Sequence, residues 1–146
     1  MTTIVYDHKR KQIAIDSRYT SGGIVISDEG VKFKTKNNKT WFFCGKACDS
    51  ELLMDMSHND KPEVAPDCAA LFVEDGTVYS VSASSDGFIE HDKQEFNASA
   101  GSGRDFALAA LDFGKTAEEA VDYAMTRDCY TGGKIHVYDI DRGEFL

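Results

Sequence analysis

Basic charge is in short supply in this chain. Sixteen lysines and arginines face 25 aspartates and glutamates over 146 residues, a formal net charge of −9. A nucleic-acid backbone would need a basic footprint, and none is present, which argues against such a partner. The acidic balance favours solubility and says little about fold. No apolar run approaches the length of a membrane span, and the N-terminus lacks the apolar core of a signal peptide. The expectation is a cytoplasmic protein with no membrane partner. There is also no C-x-x-C pair among Cys44, Cys48, Cys68 and Cys129. Cys44 and Cys48 are near in sequence but have no histidine beside them, so buried, reduced cysteines are the better reading than zinc. No repeat, low-complexity tract or linker appears. Residues 1–146 therefore read as a single domain, long enough for a real core, with an ordinary 42% apolar and 28% charged composition.

What is present begins at the N-terminus. Ile4 and Val5 are good strand formers, Asp7 to Lys11 is a polar turn, and Gln12 to Ile15 is a return strand. A hairpin centred near Lys9 would set Thr2 across from Asp16, a hydroxyl facing a carboxylate. Removal of the initiator methionine would leave Thr2 with a free α-amine beside its own hydroxyl. An α-amine titrates at roughly 7.7–8.0, so it can take the hydroxyl proton near neutral pH. The ordinary alternative is a start codon followed by a polar residue.

Ser21-Gly22-Gly23 breaks the second strand and Ile24 to Ile26 resumes it. After the turn Ser27 to Gly30, Val31 to Lys36 and Thr40 to Cys44 form a hairpin about Asn37-Asn38. That register sets Lys32 against Phe43 and Lys34 against Trp41, with Val31 and Phe33 facing the other way. Both faces carry apolar residues, so both are expected to be covered. Lys32 would be partly buried, needing either a carboxylate partner or a stem that snorkels to a solvated edge.

Ala47 to about His58 has helical spacing, with a stripe of Cys48, Leu52 and Met56 and Leu53 beside it. A polar loop from Asn59 to Pro66 contains both prolines. Cys68–Glu74 and Thr77–Ala83 are strands joined by Asp75-Gly76. Short strands follow at Phe88–His91 and Glu95–Ala100. Gly101-Ser102-Gly103 opens a helix that ends at Gly114. Thr116 and Glu119 cap a second helix, Ala117 to about Thr126. Lys134 to Ile140 is a last alternating strand. Strands, helix, strands, two helices, strand is an order that an α+β four-layer αββα sandwich satisfies.

Several motifs, in order, resemble those of the proteasome β-subunit and HslV family of N-terminal-nucleophile (Ntn) hydrolases. Thr2-Thr3-Ile4-Val5 is similar to the mature HslV N-terminus. Asp16-Ser17-Arg18-Tyr19-Thr20-Ser21-Gly22 resembles the D-S-R-A-T-x-G of β-subunits, and Lys32 falls at the spacing of the family's active-site lysine. Gly45-Lys46-Ala47-Cys48-Asp49 resembles G-G-A-A-D, Gly101-Ser102-Gly103 matches G-S-G, and Asp128 to Gly133 resembles D-A-Y-S-G-G. The resemblance spans nearly the whole chain. Between His58 and Cys68, however, there is no room for the family's second long helix, so the helical layer is expected to be shortened.

The resemblance implies roles. Thr2 would be the nucleophile and its freed amine the base, with Lys32 beside it and Asp16 pairing and orienting that lysine. The Gly45 N–H would form the oxyanion hole. Ser102 would bond the terminal amine, with Asp128 and Thr131 bracing it. Arg18 would pair structurally within the cluster. Backbone groups of Thr20 and Ala47 would hold an extended peptide, while the bulky Tyr19 and Phe43 would make a shallow specificity pocket. No cofactor is required, although main-chain oxygens of Met125, Asp128 and Thr131 have the spacing of a family site for a structural monovalent or divalent cation. The implied activity is a threonine-type endopeptidase, inactive while Met1 is retained. It would work in a self-compartmentalising homo-oligomeric ring on unfolded protein fed by an ATPase unfoldase. The alternatives are a catalytically silent scaffold subunit, or an amidase of the same fold acting on a small amide.

Overall fold

Strands that carry apolar residues on both faces need cover on both sides, and that requirement organises the whole molecule. The computed structural model describes residues 1–146. In chain order the elements are β1 (Thr3–Asp7), β2 (Gln12–Ile15), β3 (Tyr19–Ser21), β4 (Ile24–Ser27), β5 (Phe33–Lys36), β6 (Lys39–Gly45) and α1 (Ala47–Met54). There follow β7 (Cys68–Glu74), β8 (Thr77–Ala83), β9 (Ile89–Lys93), β10 (Ala98–Gly101), α2 (Arg104–Asp112), α3 (Ala117–Met125), β11 (His136–Asp139) and β12 (Glu144–Phe145).

Two antiparallel five-stranded sheets form the middle layers, ordered β10-β1-β2-β11-β12 and β5-β6-β7-β8-β9. Ile4, Tyr6, Ile13 and Ile15 of the first meet Phe42, Cys44, Leu71 and Val73 of the second between the sheets. The other face of the first sheet offers Val5, Ala14 and Val137 to the alanine-rich inner faces of α2 and α3. Small residues there let the helices lie close. The outer face of the second sheet packs Trp41, Phe43, Phe72 and Val81 against Leu53 of α1. The result is the expected four-layer αββα sandwich, with one outer layer reduced to a single short helix.

Local signals placed several elements correctly. The β5–β6 register sets Lys34 against Trp41, and the Phe43 amide donates to the Lys32 carbonyl at 2.9 Å, continuing the pairing one residue further. Asp75-Gly76 turns β7 into β8 with both residues at positive φ. Thr116 and Glu119 make both hydrogen bonds of a capping box.

Elsewhere the structure corrects the sequence reading. The first hairpin pairs Ile4 with Ile15, so Asp16 lies opposite Thr3, one position from the expected register. The chain after Ser17 leaves this sheet, and β3–β4 is a separate two-stranded ribbon whose Ile24 and Ile26 are exposed. Val31 precedes β5 and is exposed, because regular pairing stops at Phe33. Helix α1 ends at Met54 and buries Leu53, leaving Leu52 outside. Adjacent positions on a helix point about 100° apart, and two turns are too short for periodicity to choose between them. Cys44 is buried, but Cys48 and Cys129 are exposed, and all four cysteines are free. A short strand, β12, follows the last expected one and packs Phe145 on Phe33 with ring centroids 4.2 Å apart.

Candidate active site

The residue before β1, the residue after β2 and the chain entering β5 bring three side chains together. Lys32 Nζ donates to Thr2 Oγ1 at 2.9 Å, to Asp16 Oδ1 at 3.1 Å and to the Met1 carbonyl at 2.9 Å. The Lys32 and Asp16 side chains are only 4% and 0% exposed. The hydroxyl and carboxylate do not face each other across the hairpin. The lysine joins them, and this compensates for the register slip. Burial draws Lys32 below the ordinary ammonium range, while the Asp16 carboxylate works in the other direction. Tyr19 closes the site from above, with its ring centroid 5.5 Å from Lys32 Nζ and its hydroxyl donating to the Val31 carbonyl. A side chain at residue 30 would collide with that ring, so Gly30 gives it room.

Asp16 is fixed by the backbone as well. Its Oδ1 also accepts the Thr3 amide at 3.1 Å, and its Oδ2 accepts the amides of Arg18 at 3.3 Å and Gly132 at 3.0 Å. A buried carboxylate needs donors of this kind to satisfy its oxygens. The Gly132 contact comes from 116 residues away and had no signal in the sequence. Arg18 does not pair inside this cluster. It makes a two-pronged pair with Asp28, at 2.8 and 3.0 Å, and donates to the Cys129 carbonyl. Asp28 had read only as a turn residue. The pair clamps the base of the β3–β4 ribbon to the loop before β11.

A second network supports the N-terminus from the other side. Ser102 Oγ donates to Asp128 Oδ2 at 2.5 Å and to the Thr2 carbonyl at 3.4 Å, whereas the terminal amine was its expected partner. Thr131 donates to the same Asp128 oxygen at 2.6 Å and meets Thr3 Oγ1 at 2.6 Å. Burial alone would raise the Asp128 pKa. Hydrogen bonds from Ser102, Thr131 and the Tyr130 amide outweigh it and hold the carboxyl below its usual range. A depressed folded value means stability that is present above the unfolded value near ~3.9 and lost as pH falls through the folded one. The melting-temperature gap between the wild type and Asp128→Asn should therefore shrink as pH drops from about 5 to about 3, a trend that thermal melts across this window will read.

Gly45, at the end of β6 with φ of +100°, lines the cleft beside Thr2. A Cβ there would meet the Asp67 carbonyl at 2.8 Å, so the close approach needs glycine. The cleft is about 170 Å³, and Tyr19, Phe43 and Ala47 lie in its wall with Lys32. Phe43 serves two purposes: it stacks on Trp41 in the outer core and faces the cleft. Thr20 pairs with Val25 in the ribbon and is not in the cleft wall. Cys44 lies in the same wall, and burial pushes its thiol up, so it does not compete as a thiolate. Of the oxygens expected to hold a cation, the Asp128 carbonyl accepts the Thr131 amide at 3.1 Å, and both Asp128 carboxylate oxygens accept hydrogen bonds. No group of three or more His, Cys, Asp or Glu side chains gathers to hold a metal, so a cation there would rest on backbone oxygens alone.

Eukaryotic HslV from Trypanosoma brucei superposes with a TM-score of 0.71 at 18% identity, covering 93% of this chain and 97% of that one. BPH from Thiobacillus denitrificans, in complex with epoxomicin, gives 0.70 at 15% identity, covering 94% and 97%. A second structure of Thiobacillus denitrificans BPH gives 0.68 at 15% identity, covering 94% and 95%. The chain has the HslV/proteasome-like Ntn hydrolase fold. No protein-family model and no curated protein matches the sequence. The fold thus persists at identities where overall sequence similarity has faded. No helix is long and apolar enough to cross a membrane.

Proposed function

We propose that the chain, once Met1 is removed, is a threonine-type peptidase. The observation that carries this reading is the contact of Lys32 Nζ with both Thr2 Oγ1 and Asp16 in a nearly dry setting. Met1 removal turns the Thr2 nitrogen into a free amine and releases the Lys32 donor now held by the Met1 carbonyl. The amine takes the hydroxyl proton as Thr2 Oγ1 attacks the peptide carbonyl. The Lys32 ammonium lowers the amine's proton affinity and steadies the developing alkoxide. The Gly45 N–H receives the oxyanion. The protonated amine then gives its proton to the leaving nitrogen, and water releases the acyl group from Thr2 by the reverse proton path. Asp16 holds the lysine in place throughout, and Ser102, Asp128 and Thr131 hold the strand that carries the nucleophile.

The full reading is an endopeptidase in a ring of identical subunits in the cytoplasm, degrading unfolded protein delivered by an ATPase. A ring keeps an exposed reactive threonine away from folded proteins. The shortened layer after α1 removes surface that relatives use for ring packing and unfoldase docking, so ring size and partner are open to change here. The silent-scaffold alternative would follow from retention of Met1, because Thr2 would then keep a peptide nitrogen, which is no base. Intact mass of the purified protein, joined to a fluorogenic peptide assay on the Met-free chain, separates the readings. Turnover should appear with Met1 absent and vanish in Thr2→Ala, with particle size unchanged by light scattering. A Met-free chain without turnover would favour the scaffold, and turnover of small amides only would favour the amidase.

A further inference from the structure

A second cleft, of about 330 Å³, lies on the other side of the candidate nucleophile. It shares Met1, Thr2, Cys44 and Gly45 with the first and no other residues. Met1 lines both clefts, so its removal would open the Thr2 side chain to each. One wall of the second cleft is the Gly101–Arg104 segment, and the other is Asp67 to Ala69. Both walls are firmly held. Gly101 is paired with Thr3, so close that a Cβ on it would lie 1.9 Å from the Thr2 carbonyl oxygen. The Asp67 amide donates to Asp49 at 2.7 Å, and its carbonyl accepts the Lys46 amide at 2.8 Å.

An extended chain crossing Thr2 has to place its acyl part on one side and its leaving part on the other. The first cleft contains Tyr19, Phe43 and Ala47, the residues expected to meet the acyl part. We propose that the second cleft receives the peptide segment after the cut bond, and that Arg104 favours an acidic side chain there. The guanidinium is tethered by its hydrogen bond to the Gly101 carbonyl at 3.1 Å, a residue whose backbone abuts Thr2. Its remaining N–H groups are free for a carboxylate, because the contact to Asp105 is a loose 3.8 Å at the surface. Asp67 lies on the facing wall, so the cleft is polarised and an acidic side chain is directed to the Arg104 side.

This inference rests on the peptidase reading, so its test has an arm that needs no catalysis. The probe is the tetrapeptide Asp-Glu-Ala-Ala, titrated into the ¹⁵N-labelled Met-free chain and compared with Lys-Lys-Ala-Ala. The acidic peptide should shift the amides of Gly101 to Arg104 and of Cys68 and Ala69. The basic one should bind at least threefold more weakly, and Arg104→Glu should reverse the order. Arg104 is well exposed in the first turn of α2, where a glutamate suits the helix, so the variant will fold. In the kinetic arm, peptides with Asp or Lys after the cut bond should differ threefold to tenfold in kcat/KM, again reversing in Arg104→Glu. Equal affinity for both tetrapeptides, shifts elsewhere on the surface, or a preference unchanged by Arg104→Glu would overturn the proposal. Failure of the peptidase reading would show separately, as no turnover of a fluorogenic amide that has no residue after the cut.

Discussion

Lys32→Met should abolish peptide turnover by the Met-free chain, lowering kcat by roughly 10³-fold or more. Methionine matches the length of the stem and removes only the donor. The Thr2 hydroxyl then loses its one lysine contact at 2.9 Å, and the amine loses the neighbouring positive charge. The same change should cost stability, because it leaves the Asp16 carboxylate buried without its counter-ion. Losing one partner of a buried pair costs about 3–5 kcal/mol. The lower end is expected here, since three backbone amides still serve Asp16 and the desolvation of Lys32 itself is relieved. Urea unfolding and a peptide assay on the same sample will separate the two effects: a folded but silent variant supports the assignment. Turnover within tenfold of the wild type would remove Lys32 from the chemistry.

Gly101→Ala should be the most damaging small substitution outside the Thr2–Lys32–Asp16 cluster. Residue 101 has φ of +94°, and its Cβ would sit 1.9 Å from the Thr2 carbonyl oxygen and 2.6 Å from its carbon. Neither atom can swing aside, because both belong to the backbone of Thr2, which leads into β1. The expected loss is on the order of 3 kcal/mol from strain and overpacking, which is about 10 °C in melting temperature for a chain of this size. Turnover should fall with it, since the displaced atoms carry the nucleophile. Gly114→Ala is the fitting control. It has a similar φ of +88° but nothing within 4 Å of the added Cβ, so it bears the strain without the clash. Calorimetry of the two variants should show Gly101→Ala melting well below Gly114→Ala. Equal melting temperatures would mean that the β1–β10 contact yields.

Much of the fold was legible because its signals are local. Asp75-Gly76, Asn37-Asn38 and the Thr116–Glu119 box act through the backbone of a few neighbouring residues, and each appears where the sequence put it. The first hairpin failed by one residue because its turn, Asp7 to Lys11, has no such signature. Its register was settled by burial of Ile4, Tyr6, Ile13 and Ile15 on the inter-sheet face. Helix α1 is shorter than its spacing suggests and buries Leu53, since a two-turn segment follows the sheet it lands on more than its own periodicity.

By itself the sequence determined the layer order, the hairpin that sets Lys32 against Phe43, and the placing of Thr2 near the Asp16 carboxylate, while its resemblance to the HslV and proteasome β-subunit family singled out Gly45, Ser102, Asp128 and Thr131 as further candidates. Only the tertiary structure decided how they meet: Lys32 as the bridge between hydroxyl and carboxylate, Gly132 as a donor to Asp16, Asp28 as the partner of Arg18, and a second cleft past Thr2. The reason is that turns and caps are closed by neighbours in the chain. Neutralising a buried charge instead recruits whatever donors the packed sheets bring within about 3 Å, and those come from segments that share no local pattern.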